Sequence, residues 1–102
     1  MGYNQGMTKL EKTDEYQAWF TGLSDKPVKA RIEARIRRLQ DGNPGDVEPV
    51  GEGVSELKLH FGSGWRVYYT EHNGQIIILL AGGNKSTQKR DIKLALTLAR
   101  NL

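Results

Sequence analysis

The chain has 102 residues, 37% of them hydrophobic and 26% charged, which leaves room for one domain with a modest core and excludes a disordered composition. It holds no cysteine, which rules out disulfides and thiolate chemistry, and with only two histidines, His60 and His72, no all-protein zinc site is expected. The net charge of +3 is unevenly spread: residues 1–54 carry eight Lys/Arg against nine Asp/Glu, and residues 55–102 carry seven against three. The positive potential therefore belongs to the second half and favours a polyanionic partner.

Residues 1–6 (MGYNQG) show no periodicity and read as a flexible lead or cloning remnant, with a single domain over 7–102. A short strand is expected over Thr8–Lys12. Thr13-Asp14-Glu15 then supplies a hydroxyl cap and acids for a first helix turn, and Tyr16, Trp19, Phe20 and Leu23 recur at helical spacing. Ser24-Asp25-Lys26-Pro27 opens a second helix, whose inward stripe is Val28, Ile32, Ile36 and Leu39 and which stops at Asp41–Gly45. Its outer face carries Lys29, Arg31, Arg35, Arg37 and Arg38, a solvated face or the rim of a nucleic-acid site. Asp46–Gly53 is acidic and aperiodic, and is expected to be irregular.

From Glu56 the period becomes two. Leu57, Leu59 and Phe61 alternate with Glu56, Lys58 and His60, and Trp65, Val67 and Tyr69 alternate with Arg66, Tyr68 and Thr70. Asn73-Gly74 marks a tight hairpin leading into Gln75–Ala81, which is apolar on both faces and should be central. The apolar run Ile76–Ala81 is too short to span a bilayer, no secretory leader opens the chain, and a cytoplasmic protein without membrane contact is expected. A third helix over Thr87–Asn101 should turn Ile92, Ala95, Leu96, Ala99 and Leu102 inward. The order β-α-α-β-β-β-α predicts an α+β fold, an antiparallel sheet with a helical hairpin and a C-terminal helix packed on it.

With Gly62-Ser63-Gly64 as the hairpin loop, His60 lies opposite Arg66, Lys58 opposite Tyr68 and Glu56 opposite Thr70, roughly 5 Å apart. Such a patch has the groups needed to cut RNA without a metal. His60 titrates near neutrality and can act as base or acid. Arg66 offers a fixed-charge fork to phosphoryl oxygens. Lys58 can stabilise developing charge, and can trade protons if its neighbours depress its pKa. Tyr68 can stack on a base. The plain alternative is a polar, solvated strand face, with Arg66 paired to Glu56 or Glu71.

The segment LLAGGNKST runs strand, glycine loop, helix. It lacks the glycines of a nucleotide P-loop, with Asn84 and Leu79 in their places, so nucleotide triphosphate binding is rejected. Its geometry still sets Lys85, Ser86, Gln88 and Lys89 at a helix start beside the Arg66 strand, where amide donors favour phosphate.

Glu56–Lys58, Gly64–Tyr68 and Leu79–Ile92 together resemble the second half of the RelE/ParE toxin superfamily, and more narrowly its HigB-like addiction module killer protein branch. The resemblance implies the toxin of a type II toxin–antitoxin pair, a metal-independent and ribosome-dependent mRNA endonuclease that needs no cofactor. Its products are implied to be 2′,3′-cyclic phosphate and 5′-OH ends. It also implies a neutralising antitoxin with a helix-turn-helix domain, and contact with operator DNA only through the toxin–antitoxin complex. Arg66 matches the family's strand arginine, Lys58 the preceding basic strand position and Lys85 the basic residue after the last strand, while His60 enters from register alone. Several RelE-type nucleases place a catalytic tyrosine or histidine near the C-terminus, and nothing of that kind follows His72 here. General acid and base then fall to His60 and the lysines. The expected catalytic set is Lys58, His60, Arg66 and Lys85, and the expected RNA-binding set is Tyr68, Gln88, Lys89 and Arg38. Arg66→Ala and Lys58→Ala are expected to abolish toxicity without harming folding. Alternatives are a ParE-type gyrase poison and a non-catalytic antitoxin-binding module.

Overall fold

Thr13 caps the first helix as its sequence implies, its Oγ1 accepting the backbone N–H of Tyr16 at 2.9 Å. Asp25 does the same for the second, accepting from Val28 N at 3.1 Å, with Pro27 in the first turn. The structure is a computed structural model that describes residues 8–102; the lead expected over residues 1–6 lies outside the described residues.

The elements are β1 (Lys9–Lys12), α1 (Asp14–Thr21), α2 (Lys26–Gln40), β2 (Val47–Gly51), β3 (Val54–Lys58), β4 (Arg66–His72), β5 (Ile76–Gly83), a 3-10 turn (Lys85–Thr87) and α3 (Gln88–Arg100). The sheet runs β1-β5-β4-β3-β2, antiparallel except for the parallel β1–β5 pair. The α+β architecture is the one expected, with one strand more than the sequence shows. That strand, β2, falls in the stretch expected to be irregular. It sits on the sheet edge, where a proline is tolerated, and its pairing with β3 shifts register between Pro49 and Gly51, so it shows no alternation to read.

Helices cover both sheet faces. Tyr16, Ile32, Ile36 and Leu39 pack on Leu57, Leu59, Val67, Tyr69, Ile77 and Leu79. On the other face α3 lays Ile92, Ala95 and Leu96 over Val54, Tyr68, Leu80 and Ala81. Each large apolar side chain so buried contributes about 1.5–3 kcal/mol. Leu102, expected to face inward, lies past the helix end and is 60% exposed.

The paired glycines at the end of β5 have a packing role. A Cβ on Gly82 would collide with the Trp19 ring of α1, and one on Gly83 with the Asp91 carboxylate of α3. Two helices can therefore press onto the strand end from opposite sides. At the β4–β5 turn, Asn73 and Gly74 both take positive φ, 55° and 66°, and Gln75 N–H donates to His72 O at 2.9 Å, a tight turn where the sequence predicts one.

The hairpin register differs from expectation by two residues. Lys58 pairs with Arg66, Glu56 with Tyr68 and Val54 with Thr70. Gly64 N–H donates to Phe61 O at 3.0 Å, and Leu59 N–H to Trp65 O at 3.0 Å, so the connection is longer than three residues. A shift of two keeps every side chain on its face, where a shift of one would have inverted it.

Candidate functional site

The longer connection brings Lys58 directly across from Arg66 and carries His60 beyond the paired strands. Past β5, the 3-10 turn folds back so that Lys85 N–H donates to Ser63 O at 3.3 Å. Gly64 permits the approach, since a Cβ there would stand 3.2 Å from Lys85 Cβ. His60, Arg66 and Lys85 thereby line one open groove of about 400 Å³, together with Phe61, Ser63 and the turn glycines. A second groove of about 410 Å³ runs on from Lys85 along Ser86–Arg90 and includes the exposed Lys89.

Arg66 is only 7% exposed. Its Nη1 donates to the Gly64 and Trp65 carbonyls at 3.1 and 3.2 Å, while its buried Nε has no hydrogen-bond partner among the described residues. The nearest carboxylate oxygen, Glu56 Oε2, is 3.9 Å from that Nε. Glu56 is itself 1% exposed, and the same Oε2 accepts from Tyr68 OH at 2.8 Å and from Gln88 Nε2 at 2.7 Å.

Of the expected RNA contacts, Tyr68 is closed off and Gln88 is engaged inward. Tyr68 lies sealed beneath α3, with no ring face open to a base, and burial followed by its Glu56 hydrogen bond pushes its phenol pKa up. Gln88 borders the second groove but directs its amide nitrogen inward, to Glu56. Arg38 is exposed on α2 and lines neither groove. The α2 cation that reaches the rim is Arg31, whose guanidinium sits 4.8 Å from the Phe61 ring centroid.

Lys58 stands apart from the groove lining. Its Nζ lies 2.5 Å from Glu48 Oε1, and that bond raises its pKa, the reverse of the depression that proton transfer needs. Lys58 is thus a fixed cation beside Arg66 rather than a proton shuttle.

His60 is 66% exposed at its side chain, and its Nε2 lies 2.5 Å from Asp46 Oδ2. The His60 hydrogen bond, first among several causes, holds Asp46 below the usual carboxylate range. A carboxylate only accepts, so Nε2 is the donor of this bond, which leaves Nδ1 outside the pair. Behind the pair, Arg35 of α2 donates to the carbonyls of Pro44, Asp46 (3.2 Å) and Lys58 (2.9 Å), tying the start of β2 to the end of β3.

Asp46 and Arg35 are the site residues that sequence reasoning missed, whereas Glu56 entered it only through the plain alternative, as a partner for Arg66. Asp46 sits in an aperiodic acidic stretch with nothing to link it to His60. Arg35 reads as one of five helix-surface cations. Glu56 alone left a signal, an acid on the same strand face as Arg66.

The model of the Phage derived protein Gp49-like (DUF891) family matches residues 18–101, and the chain belongs to that family. It is 46% identical over 94 residues to an uncharacterized protein of Haemophilus influenzae, covering 92% of this chain and 95% of the relative. Among solved structures, E. coli toxin RelE in the free state, as an arginine-to-alanine double mutant, superposes with a TM-score of 0.68 at 14% identity, covering 89% of this chain and 96% of that one. The intact E. coli RelBE toxin–antitoxin complex gives 0.62 at 15% identity, covering 76% and 95%. The Mycobacterium tuberculosis RelBE2 complex gives 0.62 at 10% identity, covering 83% and 99%. The fold is that of the RelE toxins.

Proposed function

We propose that this Gp49-like protein is the toxin of a type II toxin–antitoxin pair and cuts mRNA on the ribosome in the cytoplasm, without a metal. The observation that carries this reading is the convergence of His60, Arg66 and Lys85 on one groove, with the fixed charge of Lys58 beside them. A RelE fold supports it, and the motifs in Glu56–Lys58, Gly64–Tyr68 and Leu79–Ile92 favour the HigB-like branch.

In the proposed reaction, His60 Nδ1 takes the proton of a ribose 2′-hydroxyl, and the 2′-oxygen attacks the adjacent phosphorus. Arg66 and Lys85 hold the charge that builds on the phosphorane. The bond from phosphorus to the 5′-oxygen breaks, that oxygen takes a proton from the Lys85 ammonium, and the imidazolium later returns its proton through solvent. The products are a 2′,3′-cyclic phosphate and a 5′-hydroxyl. A positioned base contributes about 10²–10⁴-fold to such a rate. Removing a single charge-stabilising donor costs about 10²–10³-fold. Lys89, Arg90 and Arg31 extend a cationic track on either side for the RNA backbone.

A helix-turn-helix antitoxin is the proposed partner, with operator DNA reached only through the complex. Induced expression with transcript 5′-end mapping, with and without a coexpressed antitoxin, tests the reading. Growth arrest with new 5′ ends inside coding regions supports it. Arrest with intact transcripts and induced DNA-damage signals overturns it in favour of gyrase poisoning.

A further inference from the structure

We propose that Glu56 is the positioning residue for Arg66, and that Gln88 makes this setting depend on the first turn of α3. The inference rests on the nuclease reading of the groove and goes beyond it, to a residue that touches no RNA.

Glu56 is almost wholly buried, and a buried carboxylate needs both hydrogen bonds and a counter-charge. It has both, from three directions. Tyr68 OH comes from the residue paired with Glu56 on β4, Gln88 Nε2 from α3, and the Arg66 guanidinium from two positions before Tyr68 on β4. All three converge on one oxygen, Oε2. The two neutral donors fix where that oxygen lies, and the oxygen in turn fixes the side of the guanidinium that carries Nε. Since Nη1 is already held by the Gly64 and Trp65 carbonyls, the fork has little freedom except to present its remaining edge to the groove.

The inward turn of Gln88 gives the arrangement its second property. Gln88 opens α3 directly after the turn that carries Lys85. A carboxylate anchored by Gln88 and facing Arg66 therefore keeps the two groove cations, which come from different elements, in one relative setting. Asp91 adds a second carboxylate to the α3 face: Thr87 Oγ1 donates to it, and Arg90 Nε lies 3.7 Å from it. Neither contact involves Arg66, which leaves Glu56 as the acid closest to the unpartnered Nε.

The test uses the purified protein, a 5′-labelled mRNA on bacterial ribosomes, and the Arg66 Nε–Hε resonance in a ¹⁵N-labelled sample. Glu56→Gln keeps the volume and one acceptor but removes the charge. The expected result is a saturating cleavage rate at least tenfold lower, half-saturation within threefold of wild type, and a displaced Arg66 Nε–Hε signal. Gln88→Ala, a milder change at a half-buried position, is expected to lower the rate three- to tenfold, again with half-saturation unchanged.

A Glu56→Gln protein that is folded, cuts within twofold of wild type and leaves the resonance in place overturns the proposal. So does a Gln88→Ala protein whose half-saturation rises at constant rate, because Gln88 then contacts RNA directly. If Glu56→Gln does not fold, Gln88→Ala decides alone. Should the wild-type protein leave the mRNA intact, the nuclease reading fails separately, and the resonance still reports whether Glu56 sets Arg66.

Discussion

Lys58 and Arg66 face each other across the β3–β4 ladder, yet their charges are answered by different carboxylates, Glu48 and Glu56. Arg66 and its partner are buried, whereas Glu48 is 59% exposed at its side chain. Removing one member of a buried pair costs about 3–5 kcal/mol, because it leaves the other charge uncompensated. Arg66→Ala is therefore expected to destabilise the fold, which corrects the expectation that it spares folding. A chemical denaturation series should show a lowered midpoint for Arg66→Ala and a nearly unchanged one for Lys58→Ala. Arg66→Lys keeps the charge and loses the fork, so it should be the folded variant that cuts poorly.

The Asp46–His60 pair predicts a pH dependence of defined sign. Asp46 is held below its ordinary range chiefly by the His60 hydrogen bond. A depressed carboxylate contributes stability that is present above its unfolded pKa and is lost as pH falls through the folded value. His60→Ala should raise the Asp46 titration midpoint, readable from its ¹³C carboxyl shift. The stability difference between the two proteins should vanish in strong acid. An unchanged Asp46 midpoint would separate the two side chains.

On the proposed reading, Glu48 would compete with RNA for the Lys58 ammonium, which it holds in the free protein. The raised pKa of Lys58 keeps it charged throughout the neutral range, and the stability that this shift represents is lost as pH rises through the lysine range. Glu48→Gln frees that cation. Half-saturation by mRNA should fall about two- to threefold at low salt, with the difference erased near 1 M salt, where the Debye length shrinks to about 3 Å. Titration of the RNA at two salt concentrations checks both limbs.

Gly82 has no room for a methyl group against Trp19. Overpacking of this kind costs about 1–3 kcal/mol. Gly82→Ala should lower Tm by roughly 4–8 °C per kcal/mol in a domain of this size. A thermal scan that shows no shift would mean that α1 moves freely over the strand end.

The helices and the inner strands were legible because their signals are local. Thr13 and Asp25 cap, Ile32 and Ile36 repeat at helical spacing, and Asn73-Gly74 fixes its own turn. The edge strand β2 was not, since Pro49 and Glu48 face solvent and leave no alternation. Within the site, Lys58, His60, Arg66 and Lys85 stood out by charge and position. Their settings did not, because these depend on contacts between residues far apart in the chain. Hairpin register hangs on loop geometry, the burial of Tyr68 on where α3 lands, and the role of Asp46 on the path of an aperiodic segment. The expectation that Tyr68 meets a base failed for a simple reason: an alternating strand pattern shows which residues share a face, and not whether a helix covers it.

Product analysis tests the central claim most directly. Purified protein is mixed with programmed bacterial ribosomes in the presence of EDTA, and the new RNA termini are identified by mass spectrometry. The groove chemistry predicts fragments ending in 2′,3′-cyclic phosphate, with cleavage at least a hundredfold slower for His60→Ala and Lys85→Ala, as loss of a base or a charge-holding group implies. Intact mRNA, or cutting that both variants perform as well as wild type, would contradict it.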